Sequence, residues 1–271
     1  MTSAPADIAL IGGTGFYRFL DDAEEVEVET PYGPPSAKVS LATLDGVRVA
    51  FLPRHGTDHR YLPSEVPYAA NLWALRSLGA RRVIAFNTVG SLQPEIRRGD
   101  FVFCDQFVDR TYGRKVSAYS GRDGAHVSLA DPYCPTLRPA LYDAVAGLPY
   151  RFHPTGTVVV IEGPRFSTRA ESLWFTQMGW GVVNMTQFPE VAIARELELC
   201  YANLSYVTDY DVAAKEIVGE EGEAVSHAMV VREFSLNSDT IVEVVRTLVA
   251  AAPPTDDCSC RTALANARFA R

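Results

Sequence analysis

The sequence contains no apolar run approaching the length of a membrane-spanning helix, so no such helix is expected. It lacks a basic excess. Lys and Arg number 25 against 33 Asp and Glu, a formal net charge of −8. A nucleic-acid partner is therefore not expected, because neutralising a phosphate backbone takes a basic surface. A small phosphate ligand needs only a local pocket and stays possible. No charged-then-apolar leader opens the chain, and a cytoplasmic location is the expectation. Cysteines are few, five in all. Cys104, Cys134 and Cys200 stand among apolar residues and read as inert core thiols. Cys258 and Cys260 read either as two exposed thiols on a tail or as a strained disulfide, which a reducing compartment disfavours. No second Cys/His pair has zinc-site spacing, so no metal is expected. There is no Gly-x-Ser-x-Gly nucleophile motif, no internal repeat and no mid-chain linker rich in Pro, Gly or Ser. The 271 residues read as a single domain with a short flexible tail from about residue 253.

What is present is an alternation of strands and helices. Ile8-Ala9-Leu10-Ile11 is a short apolar strand ending in a glycine turn. Residues 25–29 alternate with period two and predict a solvated strand. Residues 39–44 and 47–52 flank Asp45-Gly46, a hairpin signal. Residues 63–78 have helical apolar spacing, with Gly79 as a stop. Strands are predicted at 82–86, 101–108, 158–161, 182–183 and 200–207, and helices at 169–178, 189–197 and 230–251. Residues 215–223 read as a loop. The fold class is α/β, with a mixed central β-sheet flanked by helices.

The most informative stretch ends the 200–207 strand, where Asp209 and Asp211 flank Tyr210. Ligands of open α/β sheets sit beyond the carboxyl ends of strands. One carboxylate there can deliver a proton to a leaving base. The other, acceptor-only when ionised, suits an exocyclic amine and not a carbonyl. Gly12-Gly13-Thr14-Gly15 lacks the third glycine of a dinucleotide fingerprint, since Arg18 stands in its place. It reads either as a turn that receives one oxyanion or as a plain tight turn. Arg54 and His55 read either as a surface basic pair or as a phosphate-matching fork with a second donor beside it. Asn87-Thr88 and Met185-Thr186 follow apolar strands, where a hydroxyl is either an anion ligand or a helix cap. His59 and His126 lie in polar segments and read as surface residues.

Several of these segments occur together and in order: Ile11 through Gly15, Pro53-Arg54-His55-Gly56, residues 68–75, Thr88 through Leu92, Asp105 through Arg110, Ile161 through Ser167, Asn184-Met185-Thr186 and Thr208 through Asp211. In this the chain resembles the S-methyl-5′-thioadenosine phosphorylases, a branch of the trimeric purine nucleoside phosphorylases, over about residues 7–249. The resemblance implies phosphorolysis of a 6-aminopurine nucleoside, with inorganic phosphate as co-substrate and no cofactor. It implies a phosphate site of Thr14, Arg54, His55, Thr88 and Thr186, with Asn87 close by. Met185 would lie against the ribose and Phe166 on the purine face. Asp209 and Asp211 would be the catalytic pair at N7 and the 6-amino group, with Asp209 raised in pKa or sharing a proton with the base. His126 would come from the neighbouring subunit of a homotrimer and cover the 5′ end.

The chain departs from the family pattern at the 5′ end. His227 stands where the family carries an apolar residue that welcomes a methylthio group. It reads either as a partner for a polar 5′ group, such as the hydroxyl of adenosine, or as a solvent-facing residue opening the last helix. The segment 212–222 is longer than usual for the family. A non-catalytic nucleoside-binding module is the remaining reading, and the anion-suited residues argue against it.

Overall fold

A computed structural model describes residues 4–16, 20, 22–120, 124–219 and 225–269. The strands are β1 (Ile8–Gly12), β2 (Glu24–Val26), β3 (Val39–Leu44), β4 (Val47–Pro53), β5 (Arg82–Ser91), β6 (Phe101–Phe103), β7 (Gln106–Arg110), β8 (Phe152–His153), β9 (Thr157–Ile161), β10 (Val182–Asn184) and β11 (Cys200–Tyr210). The helices are α1 (Tyr68–Ser77), α2 (Leu137–Val145), α3 (Arg169–Gln177), α4 (Gln187–Glu196), α5 (Val212–Ile217), α6 (His227–Leu236) and α7 (Ser238–Ala251).

All these strands join one mixed sheet, and β5 is its hub. Along one edge β5 pairs in parallel with β11, from Arg82 opposite Cys200 to Ser91 opposite Tyr210. Its first half also pairs in parallel with β1. Its far end pairs antiparallel with β10. Two apolar layers cover the sheet. Leu72 and Leu75 of α1 pack with Val191 and Ile193 of α4 on one side. On the other, Leu137, Leu141 and Val145 of α2 pack with α7. Helix α7 buries Ile241, Val244, Val245, Leu248 and Val249, the stripe that a 3.6-residue repeat places on one side.

Local chemistry fixes several junctions. Asp45 and Gly46 both take positive φ, 50° and 86°, the geometry of a type I′ hairpin turn. Thr168 and Glu171 form a reciprocal capping box that starts α3.

The structure corrects several boundaries: the strand read at 25–29 is confined to Glu24–Val26, and the helix read at 63–78 begins at Tyr68. The 82–86 strand runs on to Ser91, because β10 and β11 supply partners for its second half. The 101–108 strand is two strands, broken at Cys104 and Asp105. The last helix is two helices, interrupted at Asn237, whose side chain donates to the Glu233 carbonyl at 2.9 Å. Of the 215–223 loop, the first residues are helical in α5, and 220–223 lie outside the described residues. The segment after Pro253, expected as a tail with exposed thiols, carries a short 3-10 helix, Ser259–Thr262, and buries Thr255, Cys258, Cys260 and Leu264 against the core.

Candidate active site

A cavity of about 350 Å³ opens at the carboxyl ends of β1, β5 and β11. Its walls include Thr14, Arg54, His55, Asn87, Thr88, Phe166, Met185, Thr186, Asp209, Asp211 and His227. These are the residues singled out in the sequence, His126 excepted.

The acidic end is shaped by the pairing of β11 with β5. A register shift between Val207 and Asp209 places Asp209 opposite Gly90. The Thr208 hydroxyl donates to Asp209 Oδ1 at 2.7 Å. A Cβ on Gly90 would lie 3.0 Å from Asp209 Oδ2, so a side chain there would press on the carboxylate. Asp211 is tied down by its backbone N–H, which donates to Ser91 O at 2.8 Å. Its Oδ2 is buried with no hydrogen-bond partner among the described residues, an acceptor awaiting a donor. Burial raises the Asp211 pKa, and the neighbouring Ser172 and Ser167 hydroxyls act in the opposite direction.

The opposite end is polar without being openly cationic. The Arg54 guanidinium has no exposed surface. Its Nε and Nη2 donate to Glu190 at 2.6 and 2.8 Å, and Nη1 donates to Phe86 O at 2.9 Å. The fork expected to face a phosphate therefore faces Glu190. Burial disfavours the charged guanidinium, but the Glu190 carboxylate outweighs it and holds the pKa above the usual arginine value.

His55 also differs from the simple donor expected. Its Nδ1 lies 2.8 Å from Tyr61 O. A carbonyl only accepts, so Nδ1 carries the proton. Burial, opposed by that hydrogen bond and assisted by the Arg54 charge, lowers the His55 pKa to about 3. The neutral ring presents Nε2 as an acceptor. It suits the hydroxyl of a monoprotonated phosphate, and it becomes a donor only by taking up a proton.

Thr186 precedes α4, but its side chain caps nothing in that helix. It ends a directed chain of hydrogen bonds instead. Tyr133 donates to Gln187. Gln187 donates to Ser205 at 3.1 Å, and Ser205 donates to Asn203 at 2.8 Å. Asn203 donates to Asn87, and Asn87 donates to Thr186 Oγ1 at 2.6 Å. Thr186 therefore keeps its own proton to donate. Asn87 lines the cavity, yet its amide is engaged in orienting Thr186. Asn203 and Ser205 alternate along an otherwise apolar strand, and that period-two pattern is the sequence signal for a polar stripe facing α4.

Three further residues escape the sequence reading. His59 lines the cavity, with its ring stacked on His55 at 4.5 Å and 5.1 Å from that of His227. Its spacing of four residues from His55 is the only hint. Burial lowers its pKa, with the His227 charge acting the same way. Glu190 and Arg114 carry no local signal. Arg114 is buried and donates to the Glu162 carboxylate and to the carbonyls of Met185, Phe188, Ile161 and Glu162. It clamps the loop that bears Phe166 to the loop that bears Met185. Gly163, at φ 69°, passes so close to Met185 that an added Cβ would lie 2.6 Å from its sulfur.

His126 lines no part of this cavity. Its backbone N–H donates to Ala267 O at 2.8 Å, and its ring lies 4.8 Å from that of Phe269.

The cavity therefore carries two buried carboxylates at one end and neutral hydrogen-bonding groups at the other. A family model described as the phosphorylase superfamily matches residues 7–250. A purine nucleoside phosphorylase of Streptomyces coelicolor is 52% identical over 96% of this chain and 94% of its own length. An S-methyl-5′-thioadenosine phosphorylase of Pyrococcus abyssi is 46% identical over 95% of this chain and 97% of its own. Among solved structures, methylthioadenosine phosphorylase from Schistosoma mansoni in complex with adenine superposes with a TM-score of 0.90 at 33% identity, covering 97% of this chain and 99% of that one. The chain belongs to the phosphorylase superfamily. It is a glycosyltransferase of the pentosyl-transferring type.

Gly90→Ala tests the contact between β5 and Asp209. The Gly90 backbone is not in the left-handed region, so alanine is conformationally allowed there. Displacement of the carboxylate should lower phosphorylase activity about 10- to 100-fold, with the circular dichroism spectrum retained. Parental activity in the variant would show that the contact does not constrain Asp209.

Proposed function

We propose that the enzyme phosphorolyses the N-glycosidic bond of a 6-aminopurine nucleoside, S-methyl-5′-thioadenosine in the first instance, giving adenine and 5-methylthioribose 1-phosphate. The observation that carries this reading is the unpartnered, buried Asp211 Oδ2 in the same cavity as the oxyanion donors. An ionised carboxylate matches the N6 amine of adenine and repels the carbonyl of a 6-oxopurine. A phosphate oxygen attacks the anomeric carbon as the bond to N9 breaks. The base leaves with the electron pair and is relieved by a proton at N7, delivered or shared by Asp209. Positioning and electrostatics are the available tools for such a displacement. Thr14, Thr88 and Thr186 hold the phosphate, and His55 meets its hydroxyl. Arg54, its charge paired with Glu190, braces this end from beneath. Phe166 covers the purine and Met185 the ribose. In this reading inorganic phosphate is the co-substrate and no cofactor takes part in the reaction. The working form is a cytoplasmic homotrimer, with His126 closing the 5′ end of a neighbouring subunit's site.

The 5′ end supports a second reading. Leu62, Pro63 and Val230 line the cavity and suit a methylthio group, but His59 and His227 line it too. A histidine there can hydrogen-bond a 5′-hydroxyl, which makes adenosine the alternative substrate.

The decisive experiment compares specificity constants for methylthioadenosine, adenosine and inosine, with and without phosphate. Cleavage of the two aminopurines should require phosphate, and inosine should be worse by about 10³-fold or more. Efficient inosine cleavage would contradict the role of Asp211. Asp209→Asn should lower turnover about 10²- to 10⁴-fold with little change in KM, whereas equal turnover would remove Asp209 from the mechanism. His227→Val should shift preference severalfold from adenosine toward methylthioadenosine, since one net hydrogen bond is worth about 0.5–1.5 kcal/mol. An unchanged ratio would mean that His227 does not read the 5′ group.

A further inference from the structure

Four of the five cysteines meet far from the cavity. Cys134 lies just before α2, Cys200 opens β11, and Cys258 and Cys260 bracket the start of the C-terminal 3-10 helix. Their Sγ atoms all lie within 4.8 Å of one another, and all four residues are buried. Three separate segments therefore converge on one point. The spacing rule applied to the sequence could not find it, because only Cys258 and Cys260 are close in the chain.

We propose that Cys134, Cys200, Cys258 and Cys260 bind one zinc ion in a closed, structural tetrathiolate site. Tetrahedral zinc with Zn–S bonds of about 2.3 Å sets its sulfurs about 3.8 Å apart, which the cage of thiols accommodates. Soft sulfur ligands in a tetrahedral set select zinc among the common divalent ions. The surroundings are those of thiolates. The Leu137 backbone N–H donates to Cys134 Sγ at 3.2 Å, the Thr136 hydroxyl to Cys258 Sγ at 3.5 Å, and Arg195 Nη1 to Cys260 Sγ at 3.2 Å. Donors of this kind hold metal-bound sulfurs in place, and the guanidinium offsets part of the negative charge of a zinc tetrathiolate. Cys104 stays outside the set and accepts from Gln187 at 3.4 Å.

The site clips the C-terminal segment onto the core. Beyond the cysteines that segment reaches residues 124–126, where Ala125 bridges Arg268 and the Phe269 N–H donates to Gly124 O at 3.3 Å. Cys200 and Asp209 stand at opposite ends of β11, about 30 Å apart at 3.3 Å per residue. The ion would therefore act on stability and on the placement of this segment, and not on the bond that breaks.

The test uses the full chain purified without chelator. Elemental analysis should find about one zinc per chain, and cobalt(II) exchanged into the site should show the intense visible absorption of a tetrahedral thiolate complex. Unfolding in a chelator without reductant should release five titratable thiols, the full complement. The Cys258→Ser/Cys260→Ser variant should lose the zinc. Chelator should lower the Tm of the parent and leave that of the variant unchanged. If the variant does not fold, the zinc content and cobalt spectrum of the parent decide alone. A metal-free parent that takes up neither zinc nor cobalt would overturn the proposal. So would a parent with a single free thiol, since the four cysteines would then be paired as disulfides.

Discussion

Beneath the floor of the cavity a guanidinium and a carboxylate are held together with almost no contact with water. Arg54 is 0% exposed and Glu190 1%. Taking both charges out of solvent is costly, and only close geometry with further hydrogen bonds offsets it. Here two direct bonds join the pair, Tyr201 donates to Glu190 at 2.8 Å, and Phe86 O accepts from Arg54. Arg54 directly follows β4, and the other three residues belong to α4, β11 and β5. The pair therefore joins the elements that carry the site, and loss of either partner would leave a buried, uncompensated charge. It also takes up the fork of the arginine, so an anion at this end of the cavity would be received mainly by hydroxyls and backbone.

One of those hydroxyls, that of Thr186, gains direction from the interior. The donors run one way from Tyr133 to Thr186, and each bond in such a chain favours the next. At the other end of the cavity direction comes from the backbone. The irregularity in β11 turns Asp209 toward Gly90, and the hydrogen bond to Ser91 fixes Asp211. Both ends thus rest on β5, which passes between them. The arrangement is preorganised in the sense that catalysis by electrostatics requires.

Local chemistry carried much of this in readable form. The Asp45-Gly46 turn, the capped start of α3 and the apolar stripe of α7 are each written in neighbouring residues. So are the segments carrying Thr14, Arg54, Asn87, Met185 and Asp209, because each follows or ends an apolar strand. What stayed hidden depends on pairs far apart in the chain. Glu190 is 136 residues from Arg54, and no pattern around position 190 marks it as an ion partner. Arg114 looks like any loop arginine until the loops it clamps are brought together. The extension of β5 to Ser91 follows from partners contributed by β10 and β11, and the convergence of Cys134, Cys200, Cys258 and Cys260 is likewise a product of the fold. His227 shows the limit in the other direction. Its residue type signalled a polar contact, but only the fold brings it beside His59 at the cavity wall.

The central claim is that the oxyanion held above Arg54 is the nucleophile that meets the anomeric carbon. Turnover of methylthioadenosine with phosphate in ¹⁸O-labelled water tests it most directly. Mass spectrometry of the sugar product should find a 1-phosphate ester with no ¹⁸O from water at the anomeric position. A free sugar carrying the label there would mean that water attacks, and would contradict the phosphate site described.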